Sequence, residues 1–185
     1  MTELLRPSKL HLSEYVDALK RGWSPDNVRG RQAIDEELRR ISDDPDLYLS
    51  LQDDEEAKGA PIELPDGQTV PRLPGIRRWI WDGEFCGIVG FRWQKDTSDL
   101  PSHVLGHIGF SVVPWKQRNG HATLALRLML HEARDRGLAH IDLTTDPDNI
   151  ASQKVIEANG GNLLRSFKKS EAYGGHEALL YRIFI

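Results

Sequence analysis

Six consecutive residues, Gln117-Arg118-Asn119-Gly120-His121-Ala122, interrupt the otherwise apolar stretch VVPWKQRNGHATLAL. A strand pattern ends at Val113-Pro114 and a helical pattern starts near Gly120 to Ala122, so the helix turns its N-terminus back across the strand end. The first N–H groups of a helix lack intrahelical acceptors, and the aligned peptide dipoles add partial positive charge there. Gly120 and the small Ala122 admit close approach of an anion, and Arg118 adds a full charge. This chemistry suits a pyrophosphate. A solvated loop that caps a buried helix fits the same residues, because every strand–helix junction exposes such N–H groups. Two common phosphate signatures, GxxxxGK[ST] and GxGxxG, are absent.

His107 is the second chemical candidate. With an ordinary pKa near ~6.5, its imidazole is mostly neutral at pH 7 and competent as a base. His103 and His107 are four residues apart and share a face if one strand runs through both. No Cys or carboxylate cluster completes a shell around them, so no metal is expected. The single Cys86 lies in an apolar run and is expected to pack rather than react.

The elements that must position these residues can be read from periodicity. ELLRPS is a short strand limited by Pro7, and Ser13 is placed to cap a helix over SEYVDALKRGW. NVRGRQAIDEELRRI is a longer helix, with Val28, Ile34, Leu38 and Ile41 near helical spacing. Residues 43–74 are rich in Asp, Glu, Gly and Pro and read as an irregular acidic insertion, with DLYLSL its one extended piece. Its Asp53-Asp54-Glu55-Glu56 run reads as a solvated loop, or as a negative rim that draws in cationic amines.

Two β-rich runs around Asp82-Gly83 form a hairpin, on whose strands Trp79, Trp81 and Trp93 are expected to pack. HVLGHIGFSVVP is a further strand, with His107, Gly109 and Ser111 on one face and Ile108, Phe110 and Val112 on the other. Ala122, Ala125, Leu126, Met129, Leu130 and Ala133 mark the clearest helix, stopped by Gly137. HIDLTT is a strand, and Asp148 or Asn149 caps a helix that ends at Gly160-Gly161. The strands NLLRSFKK and EALLYRIFI close the chain. This order predicts an α/β (α+β) domain with a mixed central sheet of about six or seven strands flanked by helices.

Composition narrows the function. The chain has 185 residues, enough for one domain with its own core. Its net charge of -4 gives no basic footprint for nucleic acid, and no apolar run is long enough to span a membrane. A single cysteine and an N-terminus without an apolar signal core make a reducing cytoplasm the expected location.

The loop and its surroundings resemble the GNAT N-acetyltransferase superfamily. Gln117 to Ala122 fits the Q/R-x-x-G-x-G/A signature, preceded by the strand HIGFSVVP and followed by the long helix, the strand HIDLTT and DNIASQKVIEANGG. The good match runs from about Ile76 to Gly161. The resemblance implies splayed central strands and acetyl-CoA as acyl donor, with no metal. Backbone groups of Val112 and Val113 would pair with the pantetheine arm. Gln117, Arg118, Asn119, Gly120, His121, Ala122 and Thr123 would surround the pyrophosphate, the N–H groups from Arg118 to Thr123 holding it. Asn149 and Ser152 would face the cofactor from the second helix. The implied reaction moves an acetyl group directly to a primary amine of a small molecule, peptide or protein in a ternary complex, and a homodimer is a permitted assembly.

Two positions depart from the family. Many relatives have Glu where this chain has His107, which would then be the general base. A frequent thiolate-protonating Tyr falls at Ile156, leaving Ser152, Tyr173 or water for that step. A non-catalytic acyl-CoA-binding or sensing module is the competing reading, and a nucleotide-binding protein a third.

Overall fold

The computed structural model describes residues 1–26, 29–64 and 67–185, so Val28 of the second expected helix lies outside it. In chain order the elements are β1 (Glu3–Leu5), α1 (Leu12–Lys20), α2 (Arg31–Asp43), α3 (Pro45–Ser50), β2 (Asp53–Asp54), β3 (Ile62–Glu63) and β4 (Thr69–Val70). There follow β5 (Gly75–Trp81), β6 (Phe85–Arg92), β7 (Ile108–Val112), α4 (His121–Asp135), β8 (His140–Thr145), α5 (Ile150–Glu157), β9 (Asn162–Lys168) and β10 (Glu177–Phe184).

Apart from β3 and β4, which pair with each other, the strands form two half-sheets. One has the order β1-β5-β6-β7, with β2 also on β5, and the other is β8-β10-β9. They meet where β7 begins beside β8, and α4 crosses from one strand to the other. The His107 N–H donates to the Asp142 carbonyl at 2.8 Å, and no ladder joins the two strands beyond that point. The cleft between them therefore opens toward Val112 and Thr145, where α4 and α5 begin.

Alternation along β5–β7 sends successive side chains to opposite layers. Ile76, Ile80, Val89, Phe91 and Ile108 pack with Ala125, Leu126, Met129 and Leu130 of α4. Trp79, Trp81, Phe85, Ile88 and Val113 pack with Tyr15, Leu19, Ile34 and Tyr48 of the early helices. The expected tryptophan packing holds: Trp79 stacks on Tyr15 with ring centroids 5.3 Å apart, and Trp93 lies 5.0 Å from Phe91.

Three local expectations are corrected. Ser13 is not the cap of α1, which begins one residue earlier with His11 at its N-cap. DLYLSL is not extended: Pro45 and the Asp44 carboxylate, which accepts from the Leu47 N–H at 2.9 Å, start the short helix α3, whose Tyr48 is buried. The acidic run is not a free loop either. Asp53 pairs with Arg78 and, at 3.1 Å, with Arg6; Glu55 pairs with Arg136 at 3.0 Å; Asp54 accepts from the N–H groups of Lys58 and Gly59. The Arg78 and Arg136 pairs tie the run to β5 and to the end of α4. No helix among the described residues is long and apolar enough to cross a membrane.

Candidate active site

The phosphate-binding candidate is built from backbone. Arg118 and Gly120 both adopt positive φ, +64° and +79°, which curls the chain into α4 and turns N–H groups to a common side. Gly120 is the N-cap and supplies no side chain, so the His121, Ala122 and Thr123 N–H groups precede the first ladder bond, Leu124 to Gly120, at 3.0 Å. A Cβ on Gly120 would meet nothing within 4 Å, so open space lies beside the turn. Gln117, Arg118, Asn119 and Gly120 are exposed, whereas the His121 ring is buried between Thr2, at 2.9 Å, and Asp82, at 3.4 Å. His121 thus offers the cradle its N–H and not its ring.

The two strand-end residues behave differently. Val113 donates its N–H to the Cys86 carbonyl at 2.9 Å, and its carbonyl accepts from the Lys116 N–H at 3.0 Å. Both backbone groups serve the fold, which removes Val113 from the expected arm-binding pair. Because Val113 faces β6, alternation turns Val112 toward the cleft. The Val112 carbonyl is met there by the Gln117 amide at 3.2 Å. Across the cleft, Asn149 caps α5 by accepting from the Ser152 N–H at 3.0 Å, so its side-chain oxygen is already engaged. Ser152 is half-buried on the first turn of α5, and the Asn159 amide ties the end of that helix to the Thr123 carbonyl at 3.1 Å. The buried Thr145 hydroxyl, at the open end of β8, has no partner among the described residues.

His107 does not have the exposure of a base. It is fully buried, and its Nδ1 accepts from the Asp142 N–H at 2.9 Å. That bond places the neutral ring's proton on Nε2, which has no partner, so no free lone pair faces solvent. Burial pushes the imidazole pKa down to about 4, only partly offset by the Asp142 carboxylate. Asp142 is itself held by Arg182 in two bonds of 2.7 and 2.8 Å. The strand expected to contain both histidines starts only at Ile108, so His103 and His107 share no strand face.

Asp82, Cys86 and His121 converge within 4.8 Å of one another. The Lys116 ammonium already bonds Asp82 at 3.1 and 3.2 Å and Glu84 at 2.8 Å, supplying the cation for this acidic corner. Burial raises the Cys86 thiol to about 12, which makes it an inert packing group.

The face of β5–β7 opposite α4 carries further polar residues with no motif in the sequence. Glu37 of α2 is buried and accepts from the Tyr15 hydroxyl at 2.7 Å and from the Tyr48 hydroxyl, with the Arg77 guanidinium 3.4 Å away. Burial, and then repulsion from neighbouring Tyr48 and Glu37, raises the Tyr15 phenol well above its usual value. One carboxylate thus joins α1, α2, α3 and β5. A signal was present: Glu37 falls beside Ile34, Leu38 and Ile41 on the buried stripe, and Arg77 is in phase with Trp79 and Trp81. On the same face the Trp23 indole N–H donates to Ser111 at 3.0 Å, and Arg21 lies 3.3 Å over the Trp115 ring.

Residues 37–162 match the family model described as acetyltransferase (GNAT) domain, so the chain belongs to the GNAT acetyltransferase family. Solved structures share the fold at low identity. The microcin C7 self-immunity acetyltransferase MccE, in complex with acetyl-CoA and AMP, is 15% identical with a TM-score of 0.64, covering 100% of this chain and 92% of that one. RimL, a ribosomal L7/L12 α-N-protein acetyltransferase in complex with coenzyme A, is 16% identical with a TM-score of 0.66, covering 100% and 94%. Mycobacterium smegmatis RimJ, in complex with CoA-disulfide, is 17% identical with a TM-score of 0.63, covering 99% and 81%. No curated protein sequence matches the chain.

Proposed function

We propose that this protein is one catalytic domain that transfers an acetyl group from acetyl-CoA directly to a primary amine in the cytoplasm. The carrying observation is the uncapped N-terminus of α4 at the mouth of the β7–β8 cleft. N–H groups from Arg118 to Thr123 suit a pyrophosphate, and the cleft-facing edge of Val112 suits an extended amide-containing arm. Asn149 contributes by ordering the start of α5, where Ser152 faces the same opening. The orphaned Thr145 hydroxyl fits a polar occupant of the cleft. The bound acetyl-CoA or coenzyme A of the structural relatives supports this assignment of the donor. RimL acts on a protein α-amine, which supports an amine acceptor.

His107 acts here as a positioning residue. It fixes the closed end of the cleft and takes no proton from the amine, because its one acceptor nitrogen is engaged. An α-amine, with pKa near ~8, is already partly neutral near neutral pH, so proton loss to water suffices for it. A lysine amine, near ~10.4, would need a base.

Calorimetric titration with acetyl-CoA, with ATP and NAD as controls, tests the donor. Saturable binding of acetyl-CoA alone is expected; no binding would reduce the loop to a helix cap. An amine panel then separates an enzyme, which turns over, from a sensing module, which does not.

A further inference from the structure

We propose that the part of the β5–β7 face left uncovered by the early helices binds an oxyanion of the acceptor through Arg92 and Arg77, making this a subsite for amines that carry a carboxylate or phosphate. The inference rests on the acetyl-transfer reading: with the donor's pyrophosphate at α4, which packs on one face of β5–β7, the acceptor would approach the thioester from the other face.

The register lays out the floor. Arg77 stands opposite Gly90, and Gly90 stands opposite Gly109, so one lateral row crosses three strands as arginine, glycine, glycine. Both glycines project toward the early helices, because Val89 and Ile108 beside them point the other way into the α4 layer. A Cβ on Gly109 would meet nothing within 4 Å, and one on Gly90 only the Ile76 carbonyl at 3.9 Å. The space above the row is therefore open, and Gly109 is exposed. Trp23, bonded to Ser111 one row further on, bounds it toward α1.

Arg92 stands on the same face two residues past Gly90, diagonal to Arg77 and beside the closed end of the cleft, where its N–H donates to the His107 carbonyl at 2.9 Å. Diagonal positions on one sheet face are within reach of long side chains. Arg77 has a partner, Glu37, but at 3.4–3.5 Å, and that carboxylate is shared with two tyrosine hydroxyls. Arg92 is exposed as a residue, and its guanidinium makes no hydrogen bond or ion pair among the described residues. The protein around it disfavours its charge first through desolvation and then, after an attraction from Tyr173, through repulsion by Arg77. Asp26, also within electrostatic range, already bonds the Arg29 N–H and Nε, each at 2.9 Å.

Two guanidiniums beside a floor without side chains suit a planar or tetrahedral oxyanion, which arginine binds through paired N–H donors. An arm entering at α4 runs toward the closed end of the cleft and places its thioester near the start of β7. An amine that attacks there would carry its anionic group onto Arg92.

Two isosteric pairs of acceptors test this: Ser-Asp-amide against Ser-Asn-amide, and O-phosphoethanolamine against ethanolamine. With acetyl-CoA saturating, at least one anionic member is expected to exceed its neutral partner at least tenfold in kcat/KM, and the larger ratio tells carboxylate from phosphate. Arg92→Gln should bring that ratio close to one through KM, with the KM for acetyl-CoA unchanged, and Arg92→Lys should restore part of it. Equal rates within both pairs, or a ratio that survives Arg92→Gln, would overturn the subsite. Calorimetric titration of the two anionic probes into the CoA-loaded and the free protein reads the arginines without turnover. Binding that Arg92→Gln abolishes would uphold the subsite even if acetyl transfer failed; no binding of either probe would overturn it even if neutral amines were acetylated.

Discussion

The phosphate cradle proposed at the start of α4 and the oxyanion trough proposed over Arg77, Gly90 and Gly109 would recognise charge with different materials. The cradle uses backbone: positive-φ turns at Arg118 and Gly120 leave N–H groups unspent, and the side chains beside them are exposed. The trough uses side chains held from below: Glu37 binds two tyrosines and Arg77, and three helices meet on that carboxylate. A backbone site tolerates varied side chains provided the turn survives. A side-chain site is sensitive to each partner, because removing one leaves another buried and uncompensated. A donor site made of backbone would accordingly suit one invariant ligand, and an acceptor site made of side chains could be retuned by single replacements.

The largest expected effect strikes the cradle. Gly120→Glu puts a negative side chain, at a φ unfavourable to any residue with a Cβ, where the pyrophosphate would sit. Acetyl-CoA affinity should fall about a thousandfold, roughly 4 kcal/mol, in a protein that remains folded by circular dichroism. Unchanged affinity would place the phosphate elsewhere. In the trough, Glu37→Gln should cost about 3 kcal/mol in denaturant unfolding, since it leaves Arg77 without its counter-charge. Acetyl-CoA binding should change little. A loss of donor affinity comparable to that of Gly120→Glu would show that the two halves are not independent.

The join between them gives a smaller, pH-dependent effect. The His107 pKa is lower folded, about 4, than unfolded, near ~6.5, so between these values the unfolded chain binds more protons and stability rises with pH. Stability should therefore fall by about 2 kcal/mol from pH 7 to pH 4.5 on this account. His107→Asn should flatten that slope. The acid limb of kcat/KM should follow the acceptor amine's own pKa in both proteins; a limb removed by the substitution would restore His107 as the base. The smallest change, Ser111→Ala, leaves the Trp23 indole N–H unpartnered and should cost about 1 kcal/mol, with a shift in tryptophan emission.

What the sequence makes legible follows from local physics. The α4 stripe from Ala125 to Ala133, the hairpin at Asp82-Gly83 and the Asn149 cap depend on residues close in sequence, and each appears as expected. The helix over DLYLS is not legible from its apolar residues, because a short apolar run does not distinguish strand from helix, and the Asp44-Pro45 start decides it. The burial of His107 is not legible in the sequence, because alternation shows which face a residue takes, not whether a neighbouring strand closes over it.

The sequence by itself determined the class of fold and the turn from which α4 starts, since periodicity, caps and turn residues act over a few positions. The tertiary structure alone decided which groups remain available for chemistry. Val113 spends its backbone on Cys86 and Lys116, and His107 spends its one lone pair on Asp142, 35 residues away. The lateral row Arg77–Gly90–Gly109 exists only once three strands align in register. Hydrogen-bond partners and free space are properties of long-range packing, and they emerge only when distant segments compete for the same donors, acceptors and volume.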